Sequence, residues 1–103
     1  MKINHLLFSV SNLENSIEFY SKVLGAKLIA KGRTTAYFDL DGLWLALNEE
    51  SDIPRNEIHD SYTHLAFTIN LSEFDETLDK LKKLNVSILP SRARDARDKK
   101  SIY

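Results

Sequence analysis

The sequence predicts an α+β fold made of two β-α-β-β-β modules, of which the second is incomplete. The first observation is an internal repeat, because His5-Leu6-Leu7-Phe8-Ser9-Val10 matches His64-Leu65-Ala66-Phe67-Thr68-Ile69 position by position. The second is that both segments alternate with the period of two that is typical of a strand. The third is that an amphipathic helical pattern follows each segment. A strand-helix unit is therefore expected twice in this chain.

The elements of the first module follow from local patterns. Ser11 and Glu14 have the spacing of a capping box, and they precede a helix that Gly25 ends. One face of this helix is apolar and consists of Leu13, Ile17, Tyr20 and Leu24. Three short strands are predicted next, over 26–30, 35–40 and 43–48, separated by turn signals at Lys31-Gly32 and Asp41-Gly42.

The second module is predicted to begin with a strand over the repeat at His64. A helix marked by Phe74, Leu78 and Leu81 follows and ends near Asn85, with Leu65 and Phe67 as its packing partners. We expect one domain over 1–103, with module one at 1–49, a connection at 50–61 and a partial module two at 62–103. By comparison with module one, at least one further strand is expected beyond Tyr103.

The composition favours a soluble globular domain and excludes several classes of partner. The chain has 103 residues, 43% hydrophobic and 28% charged, and a net charge of -1. This balance creates no overall field that attracts nucleic acid or an anionic membrane. No apolar run approaches a membrane span and no leader pattern opens the chain, so a cytoplasmic location is expected. Since there is no cysteine, any thiol chemistry must use a small-molecule thiol.

Strand alternation places unusual side chains on the face opposite the helices. These are His5, Tyr37, Trp44 and Asn48 from the first module, and Tyr62, His64 and Thr68 from the second. A single histidine on a strand is usually structural. Two histidines at matching positions of a repeat instead indicate a metal site with two imidazole ligands and open positions. His59, in the connection, is expected to be an ordinary surface residue.

A basic run precedes the end of the chain, from Pro90 to Lys100, and includes Arg92, Arg94 and Arg97. A solvated loop is the ordinary interpretation of such a run. One arginine folded over a metal cavity would alternatively bind a phosphonate or carboxylate through two hydrogen bonds.

Several segments together resemble the vicinal oxygen chelate superfamily and, within it, the bacillithiol-using fosfomycin-resistance thiol transferases. The matching segments are Ile3-Asn4-His5-Leu6, Ala36-Tyr37-Phe38, Leu43-Trp44-Leu45-Ala46-Leu47-Asn48-Glu49-Glu50, Ile53-Pro54-Arg55-Asn56-Glu57-Ile58, Ser61-Tyr62-Thr63-His64, Arg97-Asp98 and Ser101-Ile102-Tyr103. The similarity spans essentially the whole chain. It implies paired β-α-β-β-β modules that form a cup around a divalent metal.

The resemblance also implies particular roles. Mn²⁺ or Mg²⁺ would be held by His5, His64 and a glutamate beyond Tyr103, with no catalytic residue besides these ligands. Fosfomycin would contact Trp44, Asn48, Tyr62, Arg92 and Tyr103, and bacillithiol would open its epoxide. The family implies a homodimer with exchanged modules, and a chain that lacks the glutamate is expected to have little activity alone. Leu7 departs from the family, whose members tend to have a small polar residue there.

Other functions of the same superfamily stay open at this point. A drug-binding module of the bleomycin-resistance type would use the cup without chemistry, although it needs no histidine pair. A glyoxalase or ring-cleaving dioxygenase would require Ni²⁺, Zn²⁺ or Fe²⁺ and would not need the region around Arg92. Related epoxide hydrolases activate water with a carboxylate, and Trp44 stands where that carboxylate is expected.

Overall fold

The computed structural model describes residues 1–55 and 64–89. It divides into two compact units, Met1–Tyr62 and Thr63–Tyr103, which are described separately. The first unit contains strand β1, helix α1 and strands β2, β3 and β4 in chain order. Their bounds are β1 His5–Val10, α1 Leu13–Lys22, β2 Lys27–Lys31, β3 Thr35–Leu40 and β4 Leu43–Glu49. The predicted β-α-β-β-β order of module one and the α+β class are therefore confirmed.

The four strands form one mixed sheet in the order β1-β4-β3-β2. Strand β1 runs parallel to β4, with His5 opposite Trp44 and Ser9 opposite Asn48. Strands β4 and β3 are antiparallel, as are β3 and β2. The chain therefore returns from β2 through two hairpins and places its last strand beside its first.

One face of this sheet packs against α1 and forms the core. Phe38 and Leu47 are fully buried and Leu45 is nearly so, together with Leu13 at the start of the helix. Leu6, Phe8 and Val10 of β1 pack against this cluster, as the alternation of β1 predicts. The opposite face of the sheet is consequently left for other side chains.

Helix α1 begins one residue later than a capping box at Ser11 requires, so that prediction is wrong. Asn12 is the N-cap, and its side-chain oxygen accepts a hydrogen bond from the backbone N–H of Asn15 at 2.9 Å. Glu14 instead forms an exposed ion pair with Lys31 at 3.0 Å. Asparagine and serine cap about equally well, so residue type alone does not distinguish Ser11 from Asn12.

The glycine after α1 and the turn between β3 and β4 are present as predicted. Gly25 has a φ of 69°, the left-handed conformation in which glycine commonly ends a helix. Asp41 and Gly42, with φ values of 50° and 88°, connect β3 to β4. Two successive residues with positive φ form a turn whose twist matches that of a hairpin.

In the second unit, the prediction of a strand over the repeat at His64 is wrong for the described residues. Residues 64–70 form no strand and are exposed, and a 3₁₀ turn at Leu71–Glu73 leads into α2, Phe74–Lys83. A strand needs a hydrogen-bonded neighbour, and residues 64–89 contain no second strand to supply one. The helix itself was predicted correctly; its last residue is Lys83, and Asn85, with a φ of 56°, follows two residues later. Neither described stretch of chain has a helix that is long and apolar enough to cross a membrane.

Candidate functional site

The face of the first unit's sheet that points away from α1 is here called the open face. Register and alternation assign nine residues of three strands to it. These are His5, Leu7 and Ser9 of β1, Thr35, Tyr37 and Asp39 of β3, and Trp44, Ala46 and Asn48 of β4. Leu7 is 59% exposed and Trp44 is 51% exposed, so large apolar side chains on this face are accessible.

Three rings cluster on the open face. The imidazole of His5 lies edge-on to the indole of Trp44, with centroids 6.4 Å apart and planes at 80°. Tyr37 approaches Trp44 from the other side, with centroids 5.9 Å apart. Edge-to-face and offset pairs are favourable arrangements of aromatic rings. The structure thus brings together three residues that the sequence assigned to one face.

His5 has a polar neighbour in the chain itself. Its Nδ1 atom lies 2.9 Å from the side-chain oxygen of Asn4. The histidine is exposed, so its ring is accessible from solvent. An exposed imidazole beside polar and aromatic groups is chemically suited to be one ligand of a divalent metal.

A hydrogen-bonded network closes one end of the open face. The side-chain amide of Asn48 donates to Oε1 of Glu50 at 2.9 Å. Arg55 donates to the backbone oxygen of Glu50 at 3.2 Å and to the hydroxyl of Ser9 at 2.9 Å. Arg55 belongs to a segment that the sequence marked as a connection. The only signal that could have found its role was that segment's resemblance to the family.

The remaining sequence-predicted residues are divided between the second unit and the undescribed ranges. His64 lies in the second unit and is exposed, as is Thr68. His59, Tyr62, Arg92 and Tyr103 lie outside the described residues. In the ranges 1–55 and 64–89 no three histidine, cysteine, aspartate or glutamate side chains form a group that could hold a metal. The described residues therefore offer histidine imidazoles as metal ligands, which can supply part of a metal's coordination shell but not all of it.

Comparison with known protein families identifies the superfamily of this chain. A family model described as the Glyoxalase/Bleomycin resistance protein/Dioxygenase superfamily matches residues 2–103. The chain therefore belongs to this superfamily, which shares the vicinal oxygen chelate fold of paired β-α-β-β-β modules. The predicted fold class is confirmed by this match together with the sheet of the first unit.

Sequence relatives narrow the family. A protein of Lysinibacillus sphaericus named "Metallothiol transferase FosB" is 68% identical over 101 residues, covering 98% of this chain and 72% of the relative. A protein of the same name from Staphylococcus saprophyticus is 60% identical over 98% of this chain and 67% of its own length. Within the superfamily, the chain belongs to the metallothiol transferase FosB family.

Solved structures agree with the superfamily assignment. The fosfomycin resistance protein FosX of Listeria monocytogenes, in its hexagonal crystal form, has a TM-score of 0.82 at 27% identity, over 100% of this chain and 82% of its own. An E126Q mutant of that protein, complexed with Mn(II) and 1S,2S-dihydroxypropylphosphonic acid, has a TM-score of 0.80 at 26% identity. This alignment covers 99% of this chain and 81% of the mutant's.

Proposed function

We propose that this protein transfers a low-molecular-weight thiol onto fosfomycin in a metal-dependent reaction and thereby confers resistance to the antibiotic. The observation that carries this proposal is the 68% identity to a protein named as a metallothiol transferase. The FosX structures support the same substrate and a metal requirement, because FosX is a fosfomycin resistance protein and has been solved in complexes with Mn(II). An exposed imidazole on the open face supplies a donor group of the required kind.

In this proposal His5 and His64 are two protein ligands of a divalent ion, Mn²⁺ or Mg²⁺. The family resemblance implies that the third ligand is a glutamate from a segment beyond Tyr103, and an oxygen donor suits these hard ions. When bound, the ion supplies Lewis-acid stabilisation of the negative charge that develops on the epoxide oxygen. The chain covers 72% of the length of the Lysinibacillus relative, so we propose that full activity needs this further segment.

The proposed reaction opens the epoxide ring, and side chains of the open face hold the substrate for it. The thiolate sulfur attacks an epoxide carbon, a C–S bond forms, the C–O bond breaks and the oxygen gains a proton. A small molecule must supply the sulfur because the chain has no cysteine of its own, and the family resemblance implies that this thiol is bacillithiol. Trp44 forms an apolar wall for the substrate, and Asn48 offers its amide at the polar end of the open face. Tyr62, Arg92 and Tyr103 are the other proposed contacts, with Arg92 binding the phosphonate.

The proposed setting is a cytoplasmic homodimer whose modules exchange between subunits. Each chain would contribute one domain, with modules at 1–49 and 62–103 joined by 50–61. His5 and His64 of one metal site would then come from different subunits. Leu7 cannot donate a hydrogen bond to the epoxide oxygen, so we expect a slower reaction than in relatives with a polar residue at this position.

The experiment is a fosfomycin consumption assay with bacillithiol and Mn²⁺. It compares the 103-residue chain with a version extended by the C-terminal segment of the Lysinibacillus relative. We expect activity in the extended protein and little in the shorter chain. In the extended protein, His5→Ala and His64→Ala should abolish activity, whereas the matched control His59→Ala should retain it.

The outcomes separate the competing functions. Loss of activity in all three histidine variants would contradict the assignment of the metal ligands. An inactive extended protein that still binds fosfomycin without metal would contradict thiol transfer and favour a drug-binding module. Equal activity with and without the extension would contradict the need for a further ligand.

A further inference from the structure

Asn4 is the residue that contacts the proposed metal ligand His5 most directly through a polar group. Its side-chain oxygen lies 2.9 Å from Nδ1 of the imidazole. A carboxamide oxygen only accepts hydrogen bonds, so the contact requires a proton on Nδ1. In a neutral imidazole the other nitrogen, Nε2, then carries the lone pair.

The orientation of the His5 ring is restrained from a second side. Trp44 lies opposite His5 in the parallel β1–β4 pair, and the two rings meet edge to face with centroids 6.4 Å apart. The hydrogen bond comes from the residue before β1 and the ring contact comes from β4, so the two contacts are independent. Together they restrain both the rotation of the ring and the position of its proton.

We propose that Asn4 is a positioning residue that holds His5 in the Nδ1–H tautomer, so that Nε2 is the atom that binds the metal. This inference rests on the proposed metal-dependent function. Metal-bound histidines generally donate their other ring N–H to an oxygen, which fixes the tautomer and the ring orientation. Nothing in the spacing of the two histidines indicates this role, because the partner is the residue directly before His5.

The tautomer can be measured without metal and without activity. Long-range ¹H–¹⁵N correlation spectra of the full chain, recorded at alkaline pH where imidazoles are neutral, identify the protonated nitrogen of each histidine. His5→Gln assigns the His5 signals by their loss. We expect the Nδ1–H form of His5 in the wild-type chain and a shift toward the Nε2–H form in Asn4→Ala. A lost hydrogen bond of about 1 kcal/mol corresponds to a change of about five-fold in the tautomer ratio.

Two further variants test whether Asn4 acts on the His5 ring or only on the stability of the fold. Asn4→Asp retains an oxygen acceptor and should restore the Nδ1–H form. Asn15→Ala is the matched control, because it removes an exposed asparagine side chain from α1 and should leave the His5 signals unchanged. Backbone ¹H–¹⁵N spectra report whether each variant remains folded. An unchanged tautomer ratio in Asn4→Ala, with the fold intact, would overturn the inference.

A titration with Mn²⁺ of the extended protein, which carries the proposed glutamate ligand, then separates this inference from the proposed function. Paramagnetic broadening of the His5 signals reports binding near the ring. We expect Asn4→Ala to weaken Mn²⁺ binding by at least about five-fold, while Asn15→Ala does not. A changed tautomer with unchanged Mn²⁺ affinity would overturn the proposed link between Asn4 and the metal. A changed tautomer with no Mn²⁺ binding in any variant would instead contradict the metal site itself.

Discussion

Arg55 is hydrogen-bonded to Ser9, which lies 46 positions earlier in the chain. One guanidinium nitrogen donates to the Ser9 hydroxyl at 2.9 Å, and the other donates to the Ser9 backbone oxygen at 3.3 Å. The first nitrogen also donates to the backbone oxygen of Glu50 at 3.2 Å. Since Glu50 accepts from Asn48, this arginine links the segment after β4 to two strands of the open face.

Replacement of Arg55 should therefore destabilise the first unit. We expect Arg55→Ala to lower the free energy of unfolding by about 1–2 kcal/mol, because several solvent-exposed hydrogen bonds are lost together. Arg55→Lys should recover less than half of this, since an ammonium group cannot reproduce the fork of the guanidinium. Urea denaturation followed by circular dichroism measures the change. The matched control is Arg33→Ala in the turn between β2 and β3, and equal losses for Arg33→Ala and Arg55→Ala would contradict the prediction.

Glu49 should stabilise the start of α1 although it lies 36 positions away. Its Oε2 atom accepts a hydrogen bond from the backbone N–H of Leu13 at 2.7 Å, and the contact is partly buried. The first N–H groups of a helix have no partner within the helix, and a carboxylate there is also favoured by the helix dipole. Glu49→Ala should lower the free energy of unfolding by about 1–2 kcal/mol.

Two variants test this explanation by chemical denaturation. Glu49→Gln keeps an oxygen acceptor without the charge and should recover part of the loss. Glu14→Ala removes only an exposed ion pair with Lys31 and should cost no more than about 0.5 kcal/mol. A loss in Glu14→Ala as large as that in Glu49→Ala would argue against a specific role for Glu49.

A side chain at Gly42 should destabilise the turn between β3 and β4, for conformational rather than steric reasons. A Cβ atom at this position would have open space around it, but φ is 88°. The Gly42 N–H also donates to Oδ1 of Asp39 at 2.7 Å, which holds the turn in this conformation. Gly42→Ala should cost about 1–2 kcal/mol in thermal or urea unfolding. Asp41→Gly is the control, because it relieves a positive φ, and it should change stability by less than about 0.5 kcal/mol. A larger loss of stability in Asp41→Gly than in Gly42→Ala would refute this account.

Tyr20 should make the first unit sensitive to alkaline pH. Burial raises the pKa of the Tyr20 hydroxyl above its ordinary value of 10.0, because the phenolate would lose solvation. Its ring packs near the rings of Phe8, Phe19 and Phe38. Since the folded pKa is the higher one, this contribution to stability is complete below pH 10 and is lost as pH rises through the folded pKa.

Urea unfolding across this alkaline range, with wild type compared to Tyr20→Phe, isolates the effect. The phenylalanine variant keeps the ring but has no hydroxyl to titrate, so its stability should fall less steeply above pH 10. Near-ultraviolet absorbance should show one tyrosine of the wild type ionising later than in the unfolded chain. Identical slopes for the two proteins would contradict the prediction.

The local patterns of the chain were sufficient for the architecture of module one. The period of two in β1, the apolar spacing of α1 and the turn signals at Gly25 and Asp41-Gly42 each reflect interactions between residues close in sequence. Alternation also assigned His5, Tyr37 and Trp44 to one face, and their rings do meet there. These features depend on backbone geometry that only a few neighbouring residues set.

Relationships between distant residues were decided by the tertiary structure. The repeat at His64 has a strand pattern, yet residues 64–70 form no strand because a ladder needs a neighbour that residues 64–89 do not supply. Arg55 is hydrogen-bonded to Ser9, 46 residues away in the sequence, and Glu49 is hydrogen-bonded to Leu13, 36 residues away. Such hydrogen bonds form only once the sheet has brought the ends of β1 and β4 together. Sequence patterns thus determined the elements and their faces, whereas the folded sheet decided which polar groups meet, because hydrogen bonds require atoms within about 3 Å.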